Sequence, residues 1–253
     1  MPLKDLEEAS GLPLKINGSK LVFGKGMKEV QVDIRTHKQM LPVLKNPKAK
    51  APKEFYYMYR DVALEKDRAK IMKNNLRYDI TILPAFKVGD EFNKTLGHFH
   101  PKVPKTNTWF PEIYQVLSGN AHYLLQNEKE FLVYDARPGD KCVMLPGFGH
   151  VTVNPSEKET LVMANWVYPN FKSDYKPVVK KHGMEWFETD QGFEENKKYK
   201  THAEMEIISP KRFPELGITE KPMYIEAMKN PKKFQWLVKP QEYLEGFKEY
   251  KKS

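Results

Sequence analysis

Between Leu76 and Pro169 apolar and polar residues alternate in short runs divided by turn residues, and this rhythm predicts strand after strand. "RYDITILP" (77–84) alternates. "EIYQVL" (112–117) and "AHYLLQ" (121–126) flank the turn "SGN" and predict a hairpin. "EFLVYDARPGD" (130–140), "KCVMLP" (141–146), "HVTVNP" (150–155) and "TLVMANWVYP" (160–169) continue the series. Turn signals at such short, regular spacing indicate an antiparallel β-sandwich or barrel. Upstream, "LKI", "LVF" and "VQVDI" read as arm or edge strands, and "EFYYMYRDV" (54–62) reads as a further strand. The stretch 61–75 is the best helix candidate, with Leu64, Ile71 and Met72 on one face and Asp61 as cap. Beyond Lys176, "GMEWFETDQGFEEN" and "PQEYLEGFKEY" predict short helices laid on the barrel.

Composition narrows the class. A chain of 253 residues with 40% apolar content can bury one full core, and all-β folds of this length are routinely single domains. No apolar run approaches a membrane span, and "MPLKDLEEASG" holds no signal-peptide core. Cys142 is the only cysteine, which fits a reducing, cytoplasmic setting. The formal charge of +9 favours anionic partners, nucleic acid or small phosphorylated molecules. The lysines are scattered, however, and cluster only in "KNPKAKAPK" (45–53), "NKKYK" (196–200) and "EYKKS" (249–253). No RNP-like aromatic sequence, helix-turn-helix signature or zinc-finger spacing accompanies them, which speaks against a nucleic-acid partner.

One constellation carries chemistry. His98 and His100 are spaced so that both point to one face of a strand. Glu112 opens the next strand, sharing a face with Tyr114 and Val116, and His150 follows the turn "LPGFG". A carboxylate in an apolar strand is costly unless something neutralises it. Three imidazole nitrogens and one carboxylate oxygen suit Fe(II), Mn(II), Ni(II), Cu(II) or Zn(II). The remaining histidines, His37, His122, His182 and His202, read as packed or exposed residues.

"TLGHFH", "EIYQVLSG" and "PGFGHVTVN" resemble the two signature motifs of the cupin-type phosphoglucose isomerases, metal-dependent enzymes of archaea and some bacteria. The matching positions are Thr95, Gly97, His98, His100, Glu112, Tyr114, Leu117, Gly119, His150 and Asn154, and the similarity covers roughly residues 54–175. The resemblance implies a mainly β fold, a cupin jelly-roll barrel with N-terminal arm strands and peripheral short helices. It divides the chain into an arm (1–53), the barrel (54–175) and a C-terminal extension packed on it (176–253). It implies a homodimer that interconverts glucose 6-phosphate and fructose 6-phosphate. The metal ligands would be His98, His100, Glu112 and His150, holding one divalent ion per subunit, Fe2+ first, with Mn2+, Ni2+ or Zn2+ as alternatives. Glu112 and Tyr114 would be catalytic, and Tyr56, Thr81, Thr95, Gly97, Tyr168 and Tyr175 would contact the sugar phosphate. Rival readings are another metal-dependent cupin enzyme, such as an oxygenase or a different sugar-phosphate isomerase, and a non-enzymatic sugar-binding cupin. The chain departs from the family pattern at Gly147, where a second proline is common, and at Ser173, where a histidine can stand.

Overall fold

The structure, a computed structural model, describes residues 3–252. Met1 and Pro2, which begin "MPLKDLEEASG", and Ser253, which ends "EYKKS", lie outside the described residues. Two principal sheets form the barrel. The larger has six strands in the order Lys141–Met144, Glu112–Ser118, Leu161–Val167, Arg77–Leu83, Glu54–Tyr59 and Val32–Thr36, all antiparallel. The smaller runs Gly149–Val153, Ala121–Gln126, Phe131–Ala136 and Met205–Ile208, antiparallel except for the last pair. The architecture is mainly β, as the alternating pattern and the resemblance require, with only short helices around it.

The strand sequences explain why both faces of the large sheet are covered. Every residue of Leu161–Val167 is buried, as is every residue of Glu112–Ser118. Alternate side chains of these strands turn to the inner cavity, and the others pack under the C-terminal region. There Trp166 lies 4.8 Å from Tyr78 and 5.8 Å from Tyr224, ring centre to ring centre. Tyr224 sits on the helix Met223–Lys229, and the Trp166 indole donates to the Met223 carbonyl at 3.1 Å. Each of these large side chains contributes roughly 1.5–3 kcal/mol by leaving water, so the extension is clamped by aromatic burial.

Three local expectations change. The stretches 112–117 and 121–126 do not pair with each other: they belong to opposite sheets, and the chain crosses at Ser118–Asn120. Gly119 makes that corner with φ of 75°, where a Cβ would stand 2.8 Å from the Thr160 carbonyl oxygen. The helix expected over 61–75 shrinks to a 3-10 turn at Glu65–Asp67 and the helix Arg68–Lys73. Asp61 cannot cap it, because Asp61 adopts a φ of 60° and gives its amide to Asp79 Oδ1 at 3.0 Å. "GMEWFETDQGFEEN" forms a β-hairpin, Trp186–Thr189 with Gly192–Glu195, rather than a helix. The terminal stretch does form a 3-10 turn, Pro240–Glu242, and a helix, Leu244–Lys252. Among the described residues no helix is long and apolar enough to cross a membrane.

Candidate metal centre and substrate pocket

A cavity of about 470 Å³ opens inside the barrel, and all eleven residues expected at the site line it. His98, His100, Glu112, His150, Tyr114, Tyr56, Thr81, Thr95, Gly97, Tyr168 and Tyr175 therefore share one space, Glu112 serving in two of the expected roles. His98 and His100 do not lie on a regular strand. The segment is stitched by isolated bridges: His98 exchanges both backbone hydrogen bonds with His150 (3.1 and 3.0 Å), and Phe99 does so with Asp174 (2.9 and 2.8 Å). The alternation still sends both imidazoles to one side, and it brings His98 to a ring distance of 4.5 Å from His150. Gly97 starts this segment at φ 79°, and a Cβ there would press on the His150 carbonyl oxygen and Val151 Cβ, both at 3.3 Å. Only glycine fits that approach comfortably.

Each donor is oriented by its surroundings. The His100 Nδ1 pairs with the Phe110 carbonyl oxygen at 2.9 Å, which makes Nδ1 the N–H and leaves Nε2 with a lone pair. The Phe110 ring in turn stacks on Tyr168 (4.9 Å) and Phe171 (5.1 Å), so the loop before Glu112 holds the far wall of the pocket. Glu112 accepts a 2.6 Å hydrogen bond from the Asn165 amide at Oε1. Its Oε2 faces His100 Nε2 at 3.5 Å and His150 Nε2 at 3.3 Å. The turn before His150 places Gly147 at φ 86° beside the Trp109 ring, a conformation closed to proline. This explains the departure from a double proline at that point.

The electrostatics favour neutral imidazoles. Burial, reinforced by the neighbouring imidazoles of His150 and His100, holds His98 well below its ordinary value. Burial takes His100 down to about 4 against the opposing pull of Glu112, and takes His150 to about 3. The contacts with Glu112 are thus not ion pairs at neutral pH. Burial raises Glu112 to about 7, with the nearby His100 imidazole working against the rise. Neither ring nitrogen of His150 has a hydrogen-bond partner, although His150 is only 3% exposed. The four donor atoms all lie within 4.8 Å of one another. A buried, proton-poor cluster with orphaned nitrogens is what a divalent cation would complete, and a cation there would keep Glu112 ionised.

Five charged or amide-bearing pocket residues escaped sequence reasoning: Arg60, Arg77, Asp79, Asn165 and Lys172. Arg77 grips Asp79 through Nε to Oδ1 (2.8 Å) and Nη2 to Oδ2 (2.7 Å). The signal was present in "RYDITIL": Arg77, Asp79 and Thr81 occupy alternate positions of a strand buried on its other face. Ser173 also lines the pocket, beside the rim residue Lys172.

Fold and site together define a β-barrel protein with a three-histidine, one-carboxylate donor set inside its cavity. A family model described as Glucose-6-phosphate isomerase (GPI) matches residues 34–205. This chain belongs to the glucose-6-phosphate isomerase family. It is similar to the glucose-6-phosphate isomerase of Thermococcus litoralis, 30% identical over 126 residues, covering 49% of this chain and 61% of that protein. The enzyme of the same name from Pyrococcus furiosus is 30% identical over 131 residues, covering 51% and 64%. The matched region thus spans less than two thirds of either relative. Among solved structures, a deletion mutant of Bacillus subtilis oxalate decarboxylase superposes with a TM-score of 0.37 at 14% identity, over 55% of this chain and 32% of that one.

Proposed function

We propose that the protein is a metal-dependent isomerase that interconverts glucose 6-phosphate and fructose 6-phosphate. The observation that carries this reading is the convergence, in one cavity of a chain from this family, of the four donors with a separate set of hydroxyl and amide donors. His98, His100, Glu112 and His150 would hold one divalent ion per subunit, with Fe2+ first in order. When bound, the ion would stabilise negative charge developing on the sugar oxygens as a Lewis acid.

The chain's own groups do the rest. Thr81, Thr95, Gly97 and Tyr56 form the phosphate end. The Thr95 hydroxyl oxygen already accepts the Thr152 amide at 3.0 Å, so its proton is free to point into the cavity. Tyr175, beside His98, and Tyr168, stacked on Phe110, close the pocket. Isomerisation requires a hydrogen to leave C2 and return at C1, or the reverse. Glu112 would carry that proton through a cis-enediol, taking it on its carboxylate and giving it back to the neighbouring carbon. Asn165 fixes one Glu112 oxygen while the other does the exchange. Tyr114, on the same strand face, would give its hydroxyl proton to O1 as the C1 carbonyl becomes the enediol and recover one from O2 as the C2 carbonyl forms, the reverse reaction running the same transfers backwards. Phosphate binding far from the reacting carbons positions them, so free fructose should be a poor substrate.

We also propose that the active species is a cytoplasmic homodimer. Val32–Thr36 stands at the edge of the six-stranded sheet, and an open edge is a natural pairing surface. The test of function is a coupled assay with fructose 6-phosphate after chelation and metal add-back. Activity lost on chelation and regained on add-back supports the reading. No turnover of either sugar phosphate with any divalent ion ends it.

A further inference from the structure

The cations around the pocket are unequally paired. Arg77 is locked on Asp79, and Arg60 reaches Asp79 at 3.7 Å and Asp33 at 3.4 Å. Arg35 differs. Among the described residues no carboxylate forms an ion pair with it, and Asp33, two positions before it, is engaged by Arg60. The Arg35 guanidinium carbon instead lies 5.7 Å from the centre of the Tyr56 ring and 5.8 Å from that of Tyr175. Its Nε is buried with no hydrogen-bond partner. The fold fixes this placement, because Arg35 on the edge strand is the register partner of Tyr56.

Both tyrosines line the pocket. The Tyr56 hydroxyl accepts the Leu96 amide at 3.3 Å, so Tyr56 is tied to the backbone between Thr95 and Gly97. Tyr175 lies 5.3 Å from His98, ring to ring. Arg35 therefore sits against the two rings that join the hydroxyl-and-amide end of the cavity to the metal cluster. A half-buried guanidinium with no counter-ion and an unmet N–H is costly to keep. An anion in the adjacent cavity would repay that cost.

We propose that Arg35 supplies the compensating positive charge for a phosphate group bound at the Tyr56, Thr81, Thr95 and Gly97 end of the pocket. The proposal rests on the sugar-phosphate reading above and adds to it. Hydroxyls and amides alone would leave a dianion uncompensated inside the barrel, where charge is screened less than in bulk water. Arg35 is a positioning and charge-compensating residue behind Tyr56 and Tyr175, not a catalytic one.

The test compares wild type, Arg35→Met and Arg35→Lys as metal-loaded full chains. Inorganic phosphate binding is measured by calorimetry and as inhibition of fructose 6-phosphate turnover, with kcat and KM separated. Arg35→Met should weaken phosphate and raise KM by about 10–100-fold, with kcat changed by less than about threefold, because the lost interaction is uniform binding. Arg35→Lys should recover most of the affinity, since a charge and not a shape is required. A loss of about threefold or less in Arg35→Met, or an equal loss in Arg35→Lys, overturns the proposal. So does a wild type that binds no phosphate. If fructose 6-phosphate is not turned over at all, the isomerase reading fails, while the calorimetric comparison still decides the role of Arg35.

Discussion

Replacing Asn165 by leucine tests whether the metal cluster is held by its ligands alone or by their support. Asn165 is 4% exposed and donates to Glu112 Oε1 at 2.6 Å, a short, charge-assisted contact. Leucine keeps the volume but offers no donor. Glu112 is 4% exposed, so water cannot easily replace the lost bond, and the carboxylate is left with an unmet acceptor. An unsatisfied buried acceptor costs about 1–3 kcal/mol, and groups that orient a metal ligand typically set 10–100-fold in affinity. Without an ion the carboxyl can escape this cost by taking a proton, because burial already raises it to about 7. With an ion bound the resting carboxylate is ionised and bears the full loss. The penalty therefore falls on the metal-bound state, and the expected change is a 10–100-fold weaker divalent-ion affinity, about 1.4–2.8 kcal/mol. Competition against a chromophoric chelator at pH 7.5 measures it directly. A thermal melt of the chelated protein should show a smaller effect. Affinity within about twofold of wild type would refute the reasoning, since the 2.6 Å contact would then carry no weight in holding the ligand.

Other outcomes follow from single residues. His150→Ala should remove bound metal and activity together while the barrel stays folded, checked by metal content and far-ultraviolet dichroism; full metal occupancy would remove His150 from the donor set. Gly97→Ala should cost about 1–2 kcal/mol of stability in urea unfolding, because its φ of 79° is left-handed and the added Cβ meets the backbone at 3.3 Å. His122 joins the barrel to the 186–195 hairpin through Glu188 (2.6 Å) and faces Asp135 and Arg137. Burial lowers its affinity for a proton, but the Glu188 hydrogen bond and charge, with Asp135, more than offset this and raise it. Its contribution to stability should be full below about pH 6.5 and fade as pH rises through the raised folded value. Urea midpoints across that window should fall more steeply for wild type than for His122→Gln, and equal slopes would count against the latch. Light scattering should give a dimer mass at working concentration.

The barrel strands were legible because alternation survives whichever face is buried, and the donor set was legible because its spacing is local within each motif. Asn165 was not. In "LVMANWV" it is a lone polar residue in an apolar strand, and only the sheet order places it beside the Glu112 strand. The 112–126 misreading has a similar origin. A glycine turn between two alternating runs looks the same whether the strands pair or diverge into opposite sheets, and long-range packing decides it. The 186–195 sequence suggests helix because its acidic and aromatic residues recur at mixed spacing. The turn signal lay in Gly192, whose φ of 109° closes the hairpin with its carbonyl oxygen accepting from the Thr189 hydroxyl.

Arg35 shows how far a boundary drawn from motifs can separate residues that act together. It lies in the stretch expected to be an arm, some sixty residues before His98. Yet its strand completes the sheet that carries Tyr56, Thr81 and Glu112. The edge strand is thus asked to do two things. Its backbone pairs with Glu54–Tyr59, and its outer edge is the surface proposed to pair with a second subunit. If both hold, the register of the dimer contact fixes the strand that places Arg35 beside Tyr56. Dissociating the dimer should then weaken phosphate affinity before it weakens metal affinity, because the donors lie on inner strands and on the His98 and His150 bridge. Dilution of the metal-loaded protein, with phosphate and metal binding followed in parallel, separates the two. Simultaneous loss of both would place the coupling in the barrel as a whole and not in its edge strand.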